Sequence, residues 1–436
     1  MKPSIPIIHL GSPKGTRLLN AVKSARMRRD ERSFRTVEKI IADVRKKGDS
    51  ALFAYTKKFD NVSISARTIR IQPSEIAAQA RKAPAAFKTA LSEAAKRIVA
   101  FHSKQKSAAF RIATKEGTLS QLVRPLARVG VYVPGGYTIY PSSVLMDILP
   151  ARIAGVAQIA VVTPPRGGLD PKVAFALDLL DVKEAYRVGG AQAIAALAYG
   201  TKSIAPVDKI VGPGNSYVAL AKKAVYGIVD IDTIAGPSEV VILADSSANP
   251  EWVALDLLAQ AEHGSGNESA FCVTEDAVVA TRIGACVAKE MAQSPVRAVF
   301  HRLKTTAVCI WIAQNRDESI KFINEWSPEH LQIITKDPAK VCERIKNAAA
   351  IFCGPHTPVA LGDYFIGTNH VLPTGGAARY GSPLGVESFI KRISVAEISA
   401  KGLRKCAGNV SLLARAENFV HHALSVERRV GIKHSA

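Results

Sequence analysis

Val129-Gly130-Val131-Tyr132-Val133-Pro134-Gly135-Gly136 is an apolar run that stops at a proline and two glycines. Such a run reads as a strand, and a helical stretch is expected after it over 143–154. The unit recurs downstream. Ile159-Ala160-Val161-Val162 ends at Pro164-Pro165-Arg166-Gly167-Gly168 and leads to a helix over 171–180. A short strand over 184–188 passes through Gly189-Gly190 into a helix over 191–199. Asp208-Lys209-Ile210-Val211 runs into Gly212-Pro213-Gly214-Asn215 and another helix. This alternation indicates βα units on a parallel sheet. A second set opens at Glu239-Val240-Val241-Ile242-Leu243-Ala244-Asp245 and continues at 270–274, 307–312, 331–335 and 350–353.

Upstream, residues 17–105 read as helical, with Val37, Ile40, Ile41 and Val44 at helical spacing and a stop at Lys46-Lys47-Gly48-Asp49. The tail after about residue 386 also reads as helical, and Ala235-Gly236-Pro237-Ser238 is the hinge candidate between the strand sets. The expected fold is α/β: two Rossmann-like domains with parallel-rich sheets, plus helical N-terminal and C-terminal segments. The expected division is an N-terminal segment over 1–30, a discontinuous first domain over 31–130 and 239–384, a second domain over 131–238, and a tail over 385–436.

Composition narrows the class. The chain has 436 residues, 47% of them hydrophobic, enough for a large core and too apolar for disorder. No apolar run reaches the ~18 residues of a membrane span. The run Ile5-Pro6-Ile7-Ile8-His9-Leu10 is too broken for a signal-peptide core, so the cytoplasm is the expected compartment. Six cysteines show no C-x-x-C spacing and read as reduced core residues. The net charge of +21, with clusters such as Arg26-Met27-Arg28-Arg29, raises the question of nucleic acid. Aromatic residues are only 6% and no basic stretch interleaves them, so a solvated basic surface is expected, with no nucleic-acid or membrane partner.

Four constellations carry chemistry. Leu257-Leu258-Ala259-Gln260-Ala261-Glu262-His263-Gly264 puts Gln260 and His263 three apart on one helical turn, a spacing that lets two side chains grip one ion. Zinc is the first metal to consider, because imidazole and carboxylate suit it. The glycine turns at 135–136, 189–190 and 212–215 each lie between strand and helix, where N–H groups can meet phosphates, yet none is a G-x-G-x-x-G. Pro328-Glu329-His330-Leu331 pairs a carboxylate with an imidazole at a strand entry, expected to point to opposite faces. Gly362-Asp363-Tyr364 opens a glycine-rich loop that carries Asn369-His370, and Glu417 with His421-His422 lies in the last helix.

Taken in order, VGVYVPGG (129–136), YPSSVLM (140–146), VGGAQAIAALAYGT (188–201), VDKIVGPGN (207–215), AGPSEVVILAD (235–245), LLAQAEHG (257–264), SPEHLQI (327–333) and the stretch over 362–392 closely resemble the histidinol dehydrogenase family. The resemblance runs from about Val37 to the tail. It implies oxidation of L-histidinol to L-histidine through histidinaldehyde, with hydride passing to two NAD molecules in turn, as the last step of histidine biosynthesis. By motif, Gln260, His263 and Asp363 correspond to zinc ligands, one zinc per subunit. The tail supplies a fourth: the family's ligand histidine stands five positions after its tail glutamate, which favours His422 over His421. Glu329 and His330 correspond to the proton-transfer pair. Ser238, Glu417, His330 and the four ligands correspond to substrate-binding positions, and Tyr132, Gln192 and Asn215 to cofactor-contacting ones. The family is a homodimer whose tail completes the partner's site.

The residue types suit this chemistry. An alcohol must lose its proton before hydride leaves, and His330 is the base; Glu329 is suited to activating water for the second oxidation. Zinc would chiefly orient the substrate's nitrogens. Two departures stand near the site: Ser265-Gly266-Asn267 replaces the family's usual Pro-Asp after Gly264, and Val359 stands where glutamate is common. They bear on substrate identity. The competing readings are a paralogous zinc- and NAD-dependent dehydrogenase of another small polar alcohol, a basic nucleic-acid-binding protein on a dead scaffold, and a zinc hydrolase.

Overall fold

The computed structural model describes residues 5–26, 31–135, 139–234, 236–264 and 266–432. Gly136, Ala235 and Ser265, named above in turns and hinge, and Met27 to Arg29 of the basic cluster lie outside these residues.

Two six-stranded sheets organise the chain. Sheet I has the order Arg70–Ile71, Glu184–Arg187, Gln158–Thr163, Arg128–Tyr132, Lys209–Val211, Asp230–Ile231. Its neighbours are parallel except for Arg70–Ile71, which runs antiparallel at one edge. From Arg128–Tyr132 the chain winds outward through two strands, then returns to the other side at Lys209–Val211. That reversal opens a crevice beyond the carboxyl ends of the two strands, the usual ligand position in a doubly wound sheet. Gly130 explains the close packing here: a Cβ would lie 2.9 Å from Leu197 Cδ1 on the covering helix Gly190–Tyr199.

Sheet II has the order Ile7–His9, Val308–Ile312, Ser269–Thr274, Glu239–Ala244, His330–Ile334, Ala350–Cys353, parallel throughout. The strands Glu239–Ala244, Ser269–Thr274 and His330–Ile334 are buried from end to end, as expected of a sheet covered on both faces. The parallel-rich α/β architecture is therefore as the sequence predicts.

The helices upstream distribute differently from expectation. Val37, Ile40, Ile41 and Val44 of the helix Glu31–Lys47 are buried, together with Leu52, against Ala160, Val162, Ile194 and Leu197 of sheet I and its helix. Each such side chain contributes roughly 1.5–3 kcal/mol. Leu91 and Ile98 of Ala85–His102 join Val129, Val131 and Leu145 on the other face of the same sheet. The helices within 31–130 thus cover sheet I, whereas the expected division grouped them with 239–384. Helical periodicity announces an apolar face but does not say which sheet it covers.

Both termini also carry strands. Ile7–His9 is an edge strand of sheet II, too short to register against the helical signal around it. In the tail, Ile390–Ile398 pairs antiparallel with Gly117–Pro125, which pairs with Phe110–Ala113 in a small third sheet. The helices Ala400–Ala416 and Val420–Arg429 follow and pack on each other. Only Cys272 and Cys309 of the six free cysteines are buried, so the core reading of the cysteines holds for those two. Among the described residues no helix is long and apolar enough to cross a membrane.

Candidate active site

Glu239, Glu329 and His330 lie at the amino edge of sheet II, and Asn369, bonded to the Met146 carbonyl at 2.8 Å, ties the neighbouring 362–374 stretch to the helix that follows the Arg128–Tyr132 strand of sheet I. His330 is the first residue of its strand, paired with the strand that Glu239 opens. Glu329 precedes the ladder, just after Ser327 in a left-handed turn (φ 53°). The two side chains therefore converge on one residue instead of diverging across a strand. Glu239 N–H donates to Glu329 Oε2 at 2.8 Å, and His330 Nδ1–H donates to the Glu239 carbonyl at 3.0 Å. Their facing atoms are 3.6 Å apart. Burial pushes Glu329 up to about 7. Burial works against a charge on His330 too, but Glu329 and Asp363 outweigh it and draw the imidazole up to about 9. Such a pair titrates as a unit.

Gln260 is buried in the last turn of the helix Pro250–Ala261, and His263 lies in the turn just beyond. Gly264 (φ 77°) takes the left-handed conformation that turns the chain away. His263 Nδ1 lies 3.0 Å from the Gln260 carbonyl, which can only accept, so Nδ1 carries the proton and Nε2 keeps its lone pair for a metal. Asp363 sits in the short helix Val359–Tyr364 and not in a loop. Its Oδ1 is 3.6 Å from His330 Nε2. Burial opposes its ionisation, but His330, with His370 and His263 nearby, holds its carboxyl below the usual value.

His370 braces this corner. Its Nδ1–H donates to the Asp363 carbonyl at 2.7 Å and its Nε2 accepts from the Ser143 hydroxyl at 2.9 Å, joining the ligand region to the helix Pro141–Ala154 of sheet I. Ser238 is half-buried directly before Glu239 and takes the Ser269 N–H on its carbonyl.

Tyr132, Gln192 and Asn215 lie around the sheet I crevice. Tyr132 is buried, its hydroxyl accepts from Gly190 N–H at 3.1 Å, and burial raises it to about 12. Gln192 is buried with no hydrogen-bond partner on Oε1 among the described residues. Asn215 caps the helix Ser216–Val225 by accepting from Val218 N–H at 3.1 Å. Gly212 (φ 110°) fits because a Cβ would lie 2.2 Å from the Tyr132 carbonyl.

Glu417 and His422 stand apart. Glu417 caps the end of the helix Ala400–Ala416 and is not in the last helix as expected; His422 is in that last helix, Val420–Arg429, exposed and with its ring 5.1 Å from Phe419. Among the described residues no group of three or more His, Cys, Asp or Glu is arranged to hold a metal ion. The sequence reading missed Glu239 and its partner Arg26. A carboxylate heading a wholly apolar strand was the available signal, since unpaired carboxylates are almost never buried.

The donor set fits a zinc ion in part: an amide, an imidazole with a free Nε2 and an ionised carboxylate, with a fourth donor required. The crevice suits a dinucleotide, since two helices begin at its edge beside a glycine that a side chain would block.

A family model described as histidinol dehydrogenase matches residues 23–430. The chain is 45% identical over 404 residues to histidinol dehydrogenase of Bacillus thuringiensis subsp. konkukian, covering 92% of this chain and 94% of that one. It is 46% identical over 415 residues to histidinol dehydrogenase of Listeria monocytogenes serovar 1/2a, covering 94% and 96%. The crystal structure of histidinol dehydrogenase from Elizabethkingia anophelis superposes with a TM-score of 0.89 at 32% identity, covering 98% of each chain.

Proposed function

The chain belongs to the histidinol dehydrogenase family, oxidoreductases that oxidise histidinol in histidine biosynthesis, and from that premise we propose a two-step, NAD-dependent reaction at the corner described above. The observation that carries this reading is the convergence of Glu329, His330, Gln260, His263 and Asp363 from three distant segments. Gln260, His263 and Asp363 would hold zinc, and Tyr132, Gln192 and Asn215 would contact NAD. When bound, NAD supplies the hydride acceptor, and zinc supplies a positive template that orients the substrate.

The chain's own groups do the rest. His330, fixed at Nδ1 by the Glu239 carbonyl, presents Nε2 on the Asp363 side and in its neutral form takes the alcohol proton. As water adds to the aldehyde, Glu329 takes a proton from that water and His330 returns its own to the aldehyde oxygen, so the imidazole is neutral again and accepts the proton released at the second hydride loss. Burial of both groups excludes bulk water.

The fourth ligand and the carboxylate for the substrate's amino group come, in this reading, from His422 and Glu417 of a second copy. The tail supports this by what it exposes: Leu412 is 70% and Leu413 65% accessible, and Phe110 and Ile112 of the third sheet are each more than half exposed. Apolar surface of this extent is the mark of an interface. Six unpaired thiols suit a reducing compartment such as the cytoplasm.

The test is an NADH assay with L-histidinol on enzyme as prepared, after chelation, and after zinc restoration. Two NADH per histidine, lost and regained with zinc, support the reading. Turnover of other amino alcohols in preference to histidinol would contradict it.

A further inference from the structure

Glu239 contributes more than a strand residue should. Its N–H holds the Glu329 carboxylate and its carbonyl holds His330 Nδ1, so one peptide segment sets both members of the proton-transfer pair. Whatever fixes Glu239 fixes the pair.

Its side chain is clamped. The Glu239 carboxylate is buried and takes two hydrogen bonds from one guanidinium, Arg26 Nε at 2.5 Å and Arg26 Nη2. Arg26 ends the N-terminal helix Pro13–Arg26, more than two hundred residues away in sequence. Its remaining terminal nitrogen, Nη1, donates to the Trp326 carbonyl at 3.0 Å, and the guanidinium lies over the Trp326 ring at 4.0 Å. Trp326 closes the helix Arg316–Trp326, and only Ser327 and Pro328 separate it from Glu329.

Arg26 therefore grips both approaches to the pair, the head of the Glu239 strand and the turn that delivers Glu329. We propose that Arg26 is a positioning residue for the oxidation, acting through Glu239 to hold Glu329 and His330 in register. The planar fork matters as well as the charge. A lysine can meet one carboxylate oxygen, but it cannot bond both, reach the Trp326 carbonyl and sit over the indole together.

The inference rests on the proton-transfer reading of Glu329 and His330, so the experiment carries a control for that reading. Arg26→Met, Arg26→Lys and Arg26→Ala are compared with His330→Asn for kcat, KM, zinc content and Tm. The proposal expects Arg26→Met to lower kcat about ten- to hundredfold, with KM for histidinol and zinc content close to the parent. Lysine should recover only part of that loss, and millimolar guanidinium should raise kcat of Arg26→Ala.

A purely structural role would lower Tm and leave kcat per folded site unchanged, which overturns the proposal. If Arg26→Met does not fold, the double variant Arg26→Met/Glu239→Gln decides, because it leaves no unpaired buried charge. A folded double variant with parental kcat also overturns the proposal, and one with kcat lowered about ten- to hundredfold at parental KM and zinc content upholds it. Parental kcat in His330→Asn would instead sink the proton-transfer reading itself.

Discussion

Lys222→Met gives the strictest test of how the cofactor-side turn is held. Lys222 and Asp232 form an ion pair whose side chains are each 2% exposed. Both are also tied to one glycine: Lys222 Nζ donates to the Gly212 carbonyl at 3.0 Å, and Asp232 Oδ2 accepts from Gly212 N–H at 2.8 Å. Asp147 lies buried in the same region, neither carboxyl oxygen having a hydrogen-bond partner among the described residues. Burial, with the charge of Asp232, disfavours the charged form of Asp147 and pushes it well above the ordinary carboxyl value against the pull of Lys222. Removing the lysine strands an acid beside another acid, at a cost of about 3–5 kcal/mol. That is a large part of the roughly 5–15 kcal/mol that holds a typical protein folded. Urea denaturation reads the loss directly, and because Gly212 opens the turn to Asn215, KM for NAD should rise as well. Lys222→Met/Asp232→Asn should cost less than the single change, since neither charge remains, and Asp147→Asn should leave stability nearly unchanged. A Lys222→Met stability within about 1 kcal/mol of the parent, or a double variant less stable than the single, would mean that the lysine does not offset a buried acid here.

Three further outcomes are expected. His330→Asn should slow the first oxidation by about 10²–10⁴ with zinc still bound, as metal analysis and single-turnover NADH formation will show; parental rates would remove its role. Chelation should abolish NADH formation while far-UV circular dichroism stays unchanged, because Gln260, His263 and Asp363 lie outside the strands of both sheets; a collapse of the spectrum would make the ion structural. Glu184 is opposed by burial but held below the usual carboxyl value by Arg128 and Tyr186, so its stabilising contribution is present above the unfolded value of about 4.3 and is lost as pH falls below it. Glu184→Gln should therefore lose less stability than the parent between about pH 5 and pH 3, and parallel acid-denaturation curves would contradict this.

What the sequence disclosed follows from the range of each signal. The strands of sheets I and II were legible because apolar runs such as 129–133 and 239–244 end at residues that cannot continue them. The helices over 31–102 were legible as helices, but their docking onto sheet I is a long-range property with no local mark. Ile390–Ile398 hid behind a charged, half-alternating pattern whose strand character depends on Gly117–Pro125. Gln260 and His263 sit three apart and announce themselves, whereas Arg26 and Glu239 are 213 residues apart and neither predicts the other. Glu329 and His330 were visible as a dipeptide, but their convergence on one backbone segment depends on the turn at Ser327.

In the proposed enzyme the tail of another copy completes each site, and subunit mixing measures that exchange. His422→Asn and Asp363→Asn proteins, each inactive alone, are unfolded together, refolded and assayed for NADH formation. Half the random dimers then pair the two variants, and each of those has one intact site of two, so about a quarter of parental activity should return. No recovery in a preparation shown by mass spectrometry to contain mixed dimers would mean that His422 and Asp363 do not meet across two copies.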